Sequence, residues 1–548
     1  MSAADVGSDD ALIVGAGFAG LYMLHRLRQA GMRARVLEAG DGIGGVWFWN
    51  RYPGARCDIE STQYSYQFSP DLEQDWCWSE RYASQAEILD YANHVADRFD
   101  LRRDIVLQTP IVQARFDERT QIWQLLSQDG RQFSARFVII ATGCLSVPTW
   151  PAIPGLSSFA GEVHHTGTWP REGVDFGGKR VAIIGTGSSA IQSIPVIARE
   201  ARHLTVFQRT PAYSVPARNI TLPPSVLAGI KAIYRQLRAR AKQMPTGVLF
   251  DSSTAKALDT PPALREREYE RRWRRGGLTF LSAYSDILTD RDANKTASDF
   301  VRAKIRSVVT DPAVADRLSP KTPIGAKRLC VDLGYYETFN RENVTLVDVS
   351  ATPIERIAEA GVVVAQGVLH EADIIVLATG FDAMTGALLR IDIEGRDGLT
   401  LRQQWEGGPR TYLGLAVHGF PNLFTITGPG SPSVLTNMLP SIEQHVEWIA
   451  DCLAALRDSR IGSIEATVEA QNTWTAHVAE EASKTLRGTG NSWYVGTNVR
   501  GKPRIFMPYA GGVPKYIETC DQVAARGYEG FVLEPVATAT GFLEEEPA

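Results

Sequence analysis

Blocks of apolar residues separated by glycines mark the first forty residues of the chain. The apolar run Ala11–Val14 passes directly into the glycine-rich segment Gly15–Gly20. Leucines then recur at the spacing of one helix face, and Gly31 ends that pattern before a second apolar run, Ala34–Glu38. The order is strand, tight turn, helix and strand within about 30 residues, which is the context that a dinucleotide-binding glycine motif needs.

The same pattern returns in the middle of the chain. Lys179–Ile184 is typical of a strand, Gly185–Ala190 of a glycine-rich turn, and a helix follows before the next strand, Leu204–Phe207. Two such units predict two doubly wound nucleotide-binding domains. Two further apolar strands each run into an Ala-Thr-Gly sequence and are predicted to carry the chain between the domains: Phe137–Ile140 and Asp373–Leu377.

Residues 221–330 have a different character, because glycines and β-branched runs become rare and charged helical segments such as Arg265–Arg275 replace them. The predicted fold is therefore α/β, with two Rossmann-like dinucleotide-binding domains and a helical insertion. Residues 1–150 and 381–548 are predicted to form the first domain, and residues 151–220 and 331–380 the second. Residues 221–330 are predicted to be a helical subdomain inserted in the second domain.

Composition narrows the classes of function. The 548 residues are 44% hydrophobic and 22% charged, as in ordinary globular proteins, and the net charge of -5 offers no basic surface for nucleic acid. No apolar run reaches the roughly 18 residues of a membrane helix, and acidic residues before Ala11 argue against a signal peptide. Neither the six scattered cysteines nor the nine histidines suggest a metal site. We expect a cytoplasmic protein that needs no membrane and no obligate protein partner.

The residues of the first turn indicate a dinucleotide with a free ribose. Gly15 permits the tight bend, Gly17 lets backbone N–H groups approach a pyrophosphate, and Gly20 permits close packing of helix on strand. The helix N-terminus adds a favourable dipole for phosphate. Glu38 lies about 20 residues further on, where a carboxylate accepts hydrogen bonds from ribose hydroxyls. FAD or NAD fits this site, and NADP does not.

The second turn differs at the position that contacts the ribose. Where an acidic residue would meet the ribose, the chain has Arg209 and Thr210. Arginine there accommodates a 2′-phosphate through charge-assisted hydrogen bonds, so the second dinucleotide is predicted to be NADP(H). The glycine-rich segment contributes five residues to this predicted cofactor site: Gly185, Thr186, Gly187, Ser188 and Ser189.

Two nucleotide domains of unlike specificity suggest that hydride passes from NADPH to a flavin. A disulfide reductase would then need a redox-active cysteine pair near the first domain. Cys57 and Cys77 are too far apart in sequence for the usual short-loop pair. Transfer to oxygen is therefore favoured, and a non-catalytic redox-sensing protein is the alternative from a different class.

A longer motif lies just before the second glycine-rich turn. Residues Phe159–Pro170 resemble the F-x-G-x-x-x-H-x-x-x-W-P fingerprint of type I Baeyer–Villiger monooxygenases, with His165 and Trp169 at its histidine and tryptophan positions. The resemblance covers nearly the whole chain and is closest to the phenylacetone and steroid monooxygenase branch. Further matching segments are Gly44–Ser61, Ala378–Asp382, Gly428–Pro432 and Asn491–Tyr494.

The resemblance implies FAD and NADPH as cofactors, and O2 and an aryl, cyclic or steroid ketone as substrates. In this family a C4a-peroxyflavin attacks the ketone, and the resulting Criegee intermediate rearranges to an ester or lactone. A fixed cation beside the flavin keeps the peroxide anionic. Arg328 matches that cation, and Asp58 matches the carboxylate that pairs with it. The alternative is a flavin-containing N- or S-oxygenating monooxygenase, which would lack the tryptophan-ended fingerprint and Arg328.

Other site residues follow from the same resemblance. Lys327 matches a residue that contacts the NADP 2′-phosphate together with Arg209 and Thr210, whereas His165 and Trp169 match positions that couple domain movement to catalysis. The implied flavin contacts also include Gly45, Val46 and Trp47. The implied substrate-pocket residues are Cys144, Leu145, Ser433, Val434, Leu435 and Trp493, of which Trp493 also contacts the nicotinamide. We expect the small Cys144 side chain to enlarge the pocket.

Overall fold

The computed structural model describes residues 9–536, which fold around two sheets with parallel strands. The first sheet has eight strands. At its centre, strand Asp9–Val14 pairs in parallel with Ala34–Leu37 on one side and with Gln132–Ile140 on the other. Strand Asp9–Val14 is buried from Ala11 onward, which explains its continuously apolar sequence. The remaining strands are Ile105–Val106, Ile111–Asp117, Ile122–Ser127, Asp392–Glu394 and Leu423–Thr425.

The second sheet has five strands, and every pairing in it is parallel. The two glycine-rich turns thus follow interior strands of separate sheets, as in Rossmann-type folds. The predicted α/β class with two Rossmann-like units is confirmed, whereas the domain boundaries drawn from the sequence stay predictions. In spatial order the five strands are Val344–Asp348, His203–Gln208, Arg180–Ile184, Ile374–Leu377 and Glu162–His165.

Three smaller sheets lie beside these two. Strand Ser214–Pro216 pairs in parallel with Cys330–Asp332. The residues between these two strands, which include five helices, therefore start and end next to each other. An antiparallel sheet is formed by Ile354–Ala358, Gly361–Val364 and Val368–Glu371. Near the end of the described chain, Ile461–Ala466 pairs with Phe531–Pro535.

Sixteen α-helices occur within residues 9–536. Five of them, from Pro224 to Leu318, make up the helical segment between the strands of the small parallel pair. No helix in this part of the chain is both long enough and apolar enough to cross a membrane. The helices are Phe18–Gln29, Val46–Trp49, Pro70–Asp75, Gln85–Arg98, Ser188–Glu200, Pro224–Ala232, Tyr234–Lys242, Pro262–Arg275, Arg291–Val308, Pro312–Leu318, Tyr335–Thr338, Gly386–Arg390, Leu401–Gln404, Met438–Asp458, Val468–Ser483 and Val513–Ala525.

The helix Met438–Asp458 places its N-terminus at a cavity of about 1080 Å³. It begins at Met438, where the Asn437 side chain caps it by accepting a hydrogen bond from the Leu439 N–H group. Met438 and Ile442, one turn apart, both line that cavity. The rest of the helix is largely buried and packs against helix Phe18–Gln29 and strand Ile461–Ala466.

Candidate active site

A cavity of about 1080 Å³ is lined by residues that follow interior strands of both large sheets. Ligands of doubly wound folds bind at these carboxyl ends of strands. The cavity brings together most of the site residues predicted from the sequence: Gly15, Gly17, Glu38, Gly45, Val46, Trp47, Asp58, Cys144, Leu145, Gly185, Thr186, Gly187, Ser188, Ser189, Arg209, Thr210, Lys327, Arg328, Val434 and Trp493. Five others lie outside its lining: Gly20, His165, Trp169, Ser433 and Leu435.

The first glycine-rich turn leaves no room for a side chain at Gly15 or Gly20. Gly15 has a φ of +107°, and a Cβ atom there would lie 2.7 Å from the Ala141 carbonyl oxygen of the neighbouring strand. A Cβ atom on Gly20 would lie 1.9 Å from the Gly15 carbonyl oxygen. The turn therefore keeps bare backbone against the cavity at the start of helix Phe18–Gln29, which suits a pyrophosphate.

Glu38 holds this turn in place from the end of the adjacent strand. One carboxylate oxygen accepts the Ala16 N–H group at 2.6 Å and the other accepts the Gly40 N–H group at 2.7 Å. Burial raises the pKa of Glu38, and these two hydrogen bonds oppose that rise. Each oxygen keeps a second lone pair, and the residue lines the cavity, so Glu38 can also accept hydrogen bonds from a ribose.

The second glycine-rich turn is more open. Gly185 again has a positive φ, +114°, and its Cβ atom would lie 2.4 Å from the Ala378 carbonyl oxygen. At Gly187, by contrast, no atom lies within 4 Å of the Cβ position, so space remains above the start of helix Ser188–Glu200. The Thr186 hydroxyl donates to the Thr210 carbonyl oxygen at 3.1 Å and so ties the turn to the segment after the next strand.

Two cations stand beside this second turn. Arg209 is exposed, and Lys327 is half-buried on the loop before strand Cys330–Asp332. The pKa of Lys327 is lowered by burial and by the positive charge of Arg209. Within residues 9–536 no salt bridge joins either side chain to a carboxylate. Two neighbouring cations without a carboxylate partner in this part of the chain, beside the second glycine-rich turn, can bind a doubly charged anion such as a 2′-phosphate.

Arg328 points into the cavity between the two turns and is held by three hydrogen bonds. Its Nε and Nη2 atoms donate to the two carboxylate oxygens of Asp58 at 2.9 and 2.7 Å, and Nη1 donates to the Val434 carbonyl oxygen at 2.8 Å. Burial alone would lower the pKa of Arg328, but the charge and hydrogen bonds of Asp58 raise it. The guanidinium therefore stays charged in a fixed orientation.

The wall near Arg328 is an apolar cluster of buried residues. Cys144 belongs to it, and the Ser433 hydroxyl contacts the Cys144 sulfur at 3.9 Å and the Met384 sulfur at 4.0 Å. Ser433 is fully buried behind the wall, whereas Cys144 lines the cavity itself. The other buried members of the cluster are Ala383, Val434, Tyr494 and Met507. This wall can contact the carbon skeleton of a substrate.

Two segments connect the large sheets: one follows strand Gln132–Ile140 and the other follows strand Ile374–Leu377. His165 lies where these connecting segments meet. Its Nδ1 atom accepts the Gly167 N–H group at 2.9 Å, and its Nε2 atom lies 3.2 Å from the Thr379 hydroxyl, which itself donates to the Thr149 carbonyl oxygen. Burial lowers the pKa of His165 to about 4, so the ring is neutral at ordinary pH. Trp169 is also buried and packs against Phe176.

The connecting segments themselves are joined by backbone hydrogen bonds. The Thr149 N–H group donates to the Gly380 carbonyl oxygen at 2.9 Å, and the Asp382 N–H group donates to the Val147 carbonyl oxygen at 2.8 Å. Sequence reasoning did not single out Thr149 or Thr379. The sequence contained a signal for Thr379, because this residue belongs to the Ala-Thr-Gly sequence after the strand Asp373–Leu377, which was predicted to carry the chain between domains.

Comparison with known proteins agrees with this geometry. Residues 12–252 match the family model described as pyridine nucleotide-disulphide oxidoreductase. The acetone monooxygenase (methyl acetate-forming) of Gordonia sp. (strain TY-5) is 44% identical over 527 residues, covering 96% of this chain and 99% of that protein. The phenazine N-monooxygenase of Lysobacter antibioticus is 41% identical, with coverage of 96% and 97%.

The solved structures give the same result. The structure of oxidized steroid monooxygenase bound to NADP is 50% identical to this chain and covers 96% of it, with 99% of its own chain matched and a TM-score of 0.92. Identity at this level over nearly the full length confirms the resemblance seen in the fingerprint. The chain belongs to the Baeyer–Villiger monooxygenase family.

Proposed function

We propose that this chain catalyses the NADPH- and O2-dependent Baeyer–Villiger oxidation of ketones to esters or lactones. The observation that supports this most is the Arg328–Asp58 pair, which lies in the wall of a cavity bordered by both glycine-rich turns. The related acetone monooxygenase is named as forming methyl acetate, which is an ester. Aryl, cyclic and steroid ketones are the proposed substrate classes.

Each glycine-rich turn is proposed to bind a different cofactor. The first turn suits FAD, because Glu38 faces the ribose position and Gly45, Val46 and Trp47 line the same part of the cavity. The second turn suits NADPH, because Arg209 and Lys327 are free to bind the 2′-phosphate. When bound, FAD would accept hydride from NADPH and activate O2, so that one oxygen atom could pass to the ketone and the other leave as water.

Arg328 is the proposed catalytic residue, and Asp58 orients it. A guanidinium that stays protonated supplies a fixed positive charge where negative charge develops on oxygen during transfer to a carbonyl carbon. The bidentate contact with Asp58 and the bond to the Val434 carbonyl fix two sides of the guanidinium, so no reorganisation is needed when that charge develops. The apolar wall borders the same space.

The test is product analysis. Purified holoenzyme is given NADPH, O2 and a panel containing phenylacetone, cyclic ketones and a steroid ketone, and products are identified by mass spectrometry with 18O2. We expect esters or lactones that carry one 18O atom. Absence of any oxygenated product from every ketone, with NADPH consumed, would contradict the proposal.

N-oxygenation is the second candidate, because a relative of 41% identity is named a phenazine N-monooxygenase. The same assay distinguishes the two reactions when the panel also contains a phenazine and a thioether. N-oxide or sulfoxide as the only product would favour the second candidate. Ester from a ketone, even alongside sulfoxide, supports the first.

Replacing Cys144 tests the proposed substrate pocket. Cys144→Phe adds a ring to the cavity wall, so we expect kcat/KM for a steroid ketone to fall about tenfold or more, with little change for a small ketone. Cys144→Ala, which adds no volume, is the matched control. Equal effects of Cys144→Phe on small and bulky ketones would place Cys144 outside the substrate pocket.

We also propose roles for two residues outside the cavity and a location for the protein. The neutral His165 ring joins the two connecting segments through Thr379, which supports a role for His165 and Trp169 in coupling domain movement to catalysis.

The six cysteines are unpaired, which supports a cytoplasmic location.

A further inference from the structure

Two residues of the segment between strand Leu423–Thr425 and helix Met438–Asp458 have backbone conformations that their side chains disfavour. Thr427 has a φ of +56° and Ser433 a φ of +42°. A β-branched residue in the left-handed region is a genuine outlier and persists only where its surroundings impose it. Thr427 also lines the cavity, so the constraint acts at the active site.

Thr427 is hydrogen-bonded to a buried histidine, His445. The Thr427 N–H group donates to Nδ1 of His445 at 2.9 Å, and Nε2 of His445 lies 2.9 Å from the Tyr516 hydroxyl. That hydroxyl donates its one hydrogen to the Leu413 carbonyl oxygen at 2.6 Å, so it accepts from His445. The ring is therefore neutral with its hydrogen on Nε2, and every polar atom in the chain of contacts is satisfied.

The segment held by His445 leads to Arg328. The Ser433 hydroxyl donates to the Thr427 carbonyl oxygen at 3.3 Å, which links the two strained residues to each other. The next residue is Val434, whose carbonyl oxygen accepts Nη1 of Arg328 at 2.8 Å. The Leu435 N–H group shares a peptide plane with that carbonyl and donates to the Pro432 carbonyl oxygen at 3.1 Å. The direction of the Val434 carbonyl is therefore set within the turn 432–435, which the Ser433 hydroxyl ties to Thr427.

We propose that His445 is a positioning residue for the oxygen-transfer step: it holds Thr427 in the left-handed conformation and thereby fixes the Val434 carbonyl that orients Arg328. The proposal rests on the proposed function for the identity of the step, but its geometric content concerns Arg328 alone. Asp58 fixes one edge of the guanidinium, and this network fixes the other.

Histidine suits this place because one rigid ring offers an acceptor and a donor in different directions. Burial lowers the pKa of His445 to about 3, so the acceptor at Nδ1 is kept at all pH values where the protein is assayed. The anchor is therefore independent of pH, unlike one built on a histidine of ordinary pKa.

Two amide variants separate the positioning role from a merely structural one. In His445→Asn, the side-chain carbonyl of the introduced asparagine reaches the place of Nδ1 and can accept the Thr427 N–H group. In His445→Gln, the longer side chain carries its amide to the place of Nε2 instead and leaves that N–H group without its partner. Val446→Ala, at a buried neighbour on the same helix without a polar contact, is the control for lost packing.

We expect His445→Gln to lower the amount of ester formed per NADPH consumed by about tenfold, because one buried donor is left unsatisfied and the guanidinium loses its orientation. His445→Asn and Val446→Ala should stay within about twofold of the parent protein, since neither leaves the Thr427 N–H group unpaired. All three are expected to keep bound flavin and its rate of reduction by NADPH.

A second readout does not depend on turnover. In holoenzyme labelled with 15N-arginine, the Nε–H resonance of Arg328, assigned with Arg328→Lys, should shift or broaden in His445→Gln and stay unchanged in His445→Asn. An unchanged resonance in His445→Gln would overturn the proposal, as would equal losses in all three variants. If the parent protein oxygenates no ketone, the proposed function fails, while the resonance still decides whether His445 positions Arg328.

Discussion

Arg328→Ala is expected to accept hydride from NADPH onto its flavin as the parent protein does but to form ester about 100- to 1000-fold more slowly, the loss typical when a preorganised charge-stabilising group is removed from an active site. The reason is that Arg328 has different partners from the cations proposed to bind NADPH. The cations proposed to bind NADPH are Arg209 and Lys327, whereas Arg328 is engaged by Asp58 and the Val434 carbonyl. Stopped-flow reduction measured separately from product formation checks this prediction.

A double-mutant cycle sharpens this test. If Asp58 acts only by orienting Arg328, Asp58→Ala lowers ester formation in the parent protein but adds nothing in the Arg328→Ala background. Arg328→Lys keeps the charge without the bidentate contact, so we expect an intermediate rate. Ester formation by Arg328→Ala at close to the parental rate would remove Arg328 from the mechanism.

Arg209→Ala is expected to raise the KM for NADPH about 10- to 100-fold, because a charge-assisted hydrogen bond to the 2′-phosphate contributes about 1.5–3 kcal/mol. NADH carries no 2′-phosphate, so its KM should hardly change. Steady-state kinetics with both nucleotides give the ratio directly. A parallel rise for NADPH and NADH would mean that Arg209 supports the fold of the site and does not recognise the phosphate.

The backbone of both nucleotide sites could be predicted from sequence because its requirements are local. Gly15 and Gly185 occupy positions where φ is positive and a neighbouring carbonyl leaves no room for Cβ, and only glycine meets both conditions. A strand before each turn and a helix after it complete the signal within a few residues. The Arg328–Asp58 pair, 270 residues apart in sequence, was accessible only through resemblance to a family.

The orientation of Arg328 could not be predicted in the same way. Its third hydrogen bond goes to the Val434 carbonyl, and backbone carbonyls carry no residue-specific signal. The conformation of that segment depends on positive φ values at Thr427 and Ser433, which local propensity opposes. Likewise, Glu38 was predicted as a ribose ligand, but its hydrogen bonds to Ala16 and Gly40 emerge only when the strand and both loops are assembled.

The hydrogen bond between Thr149 and Gly380 has a consequence for recombination among relatives. The two ends of residues 150–379 lie side by side. This stretch can therefore be replaced by the corresponding stretch of a relative without moving the flanking backbone. The exchange would carry Arg328 with this stretch and leave Asp58 and Val434 behind. A chimaera can therefore inherit both nucleotide sites intact and still be inactive, unless donor and host rebuild that ion pair across the junction.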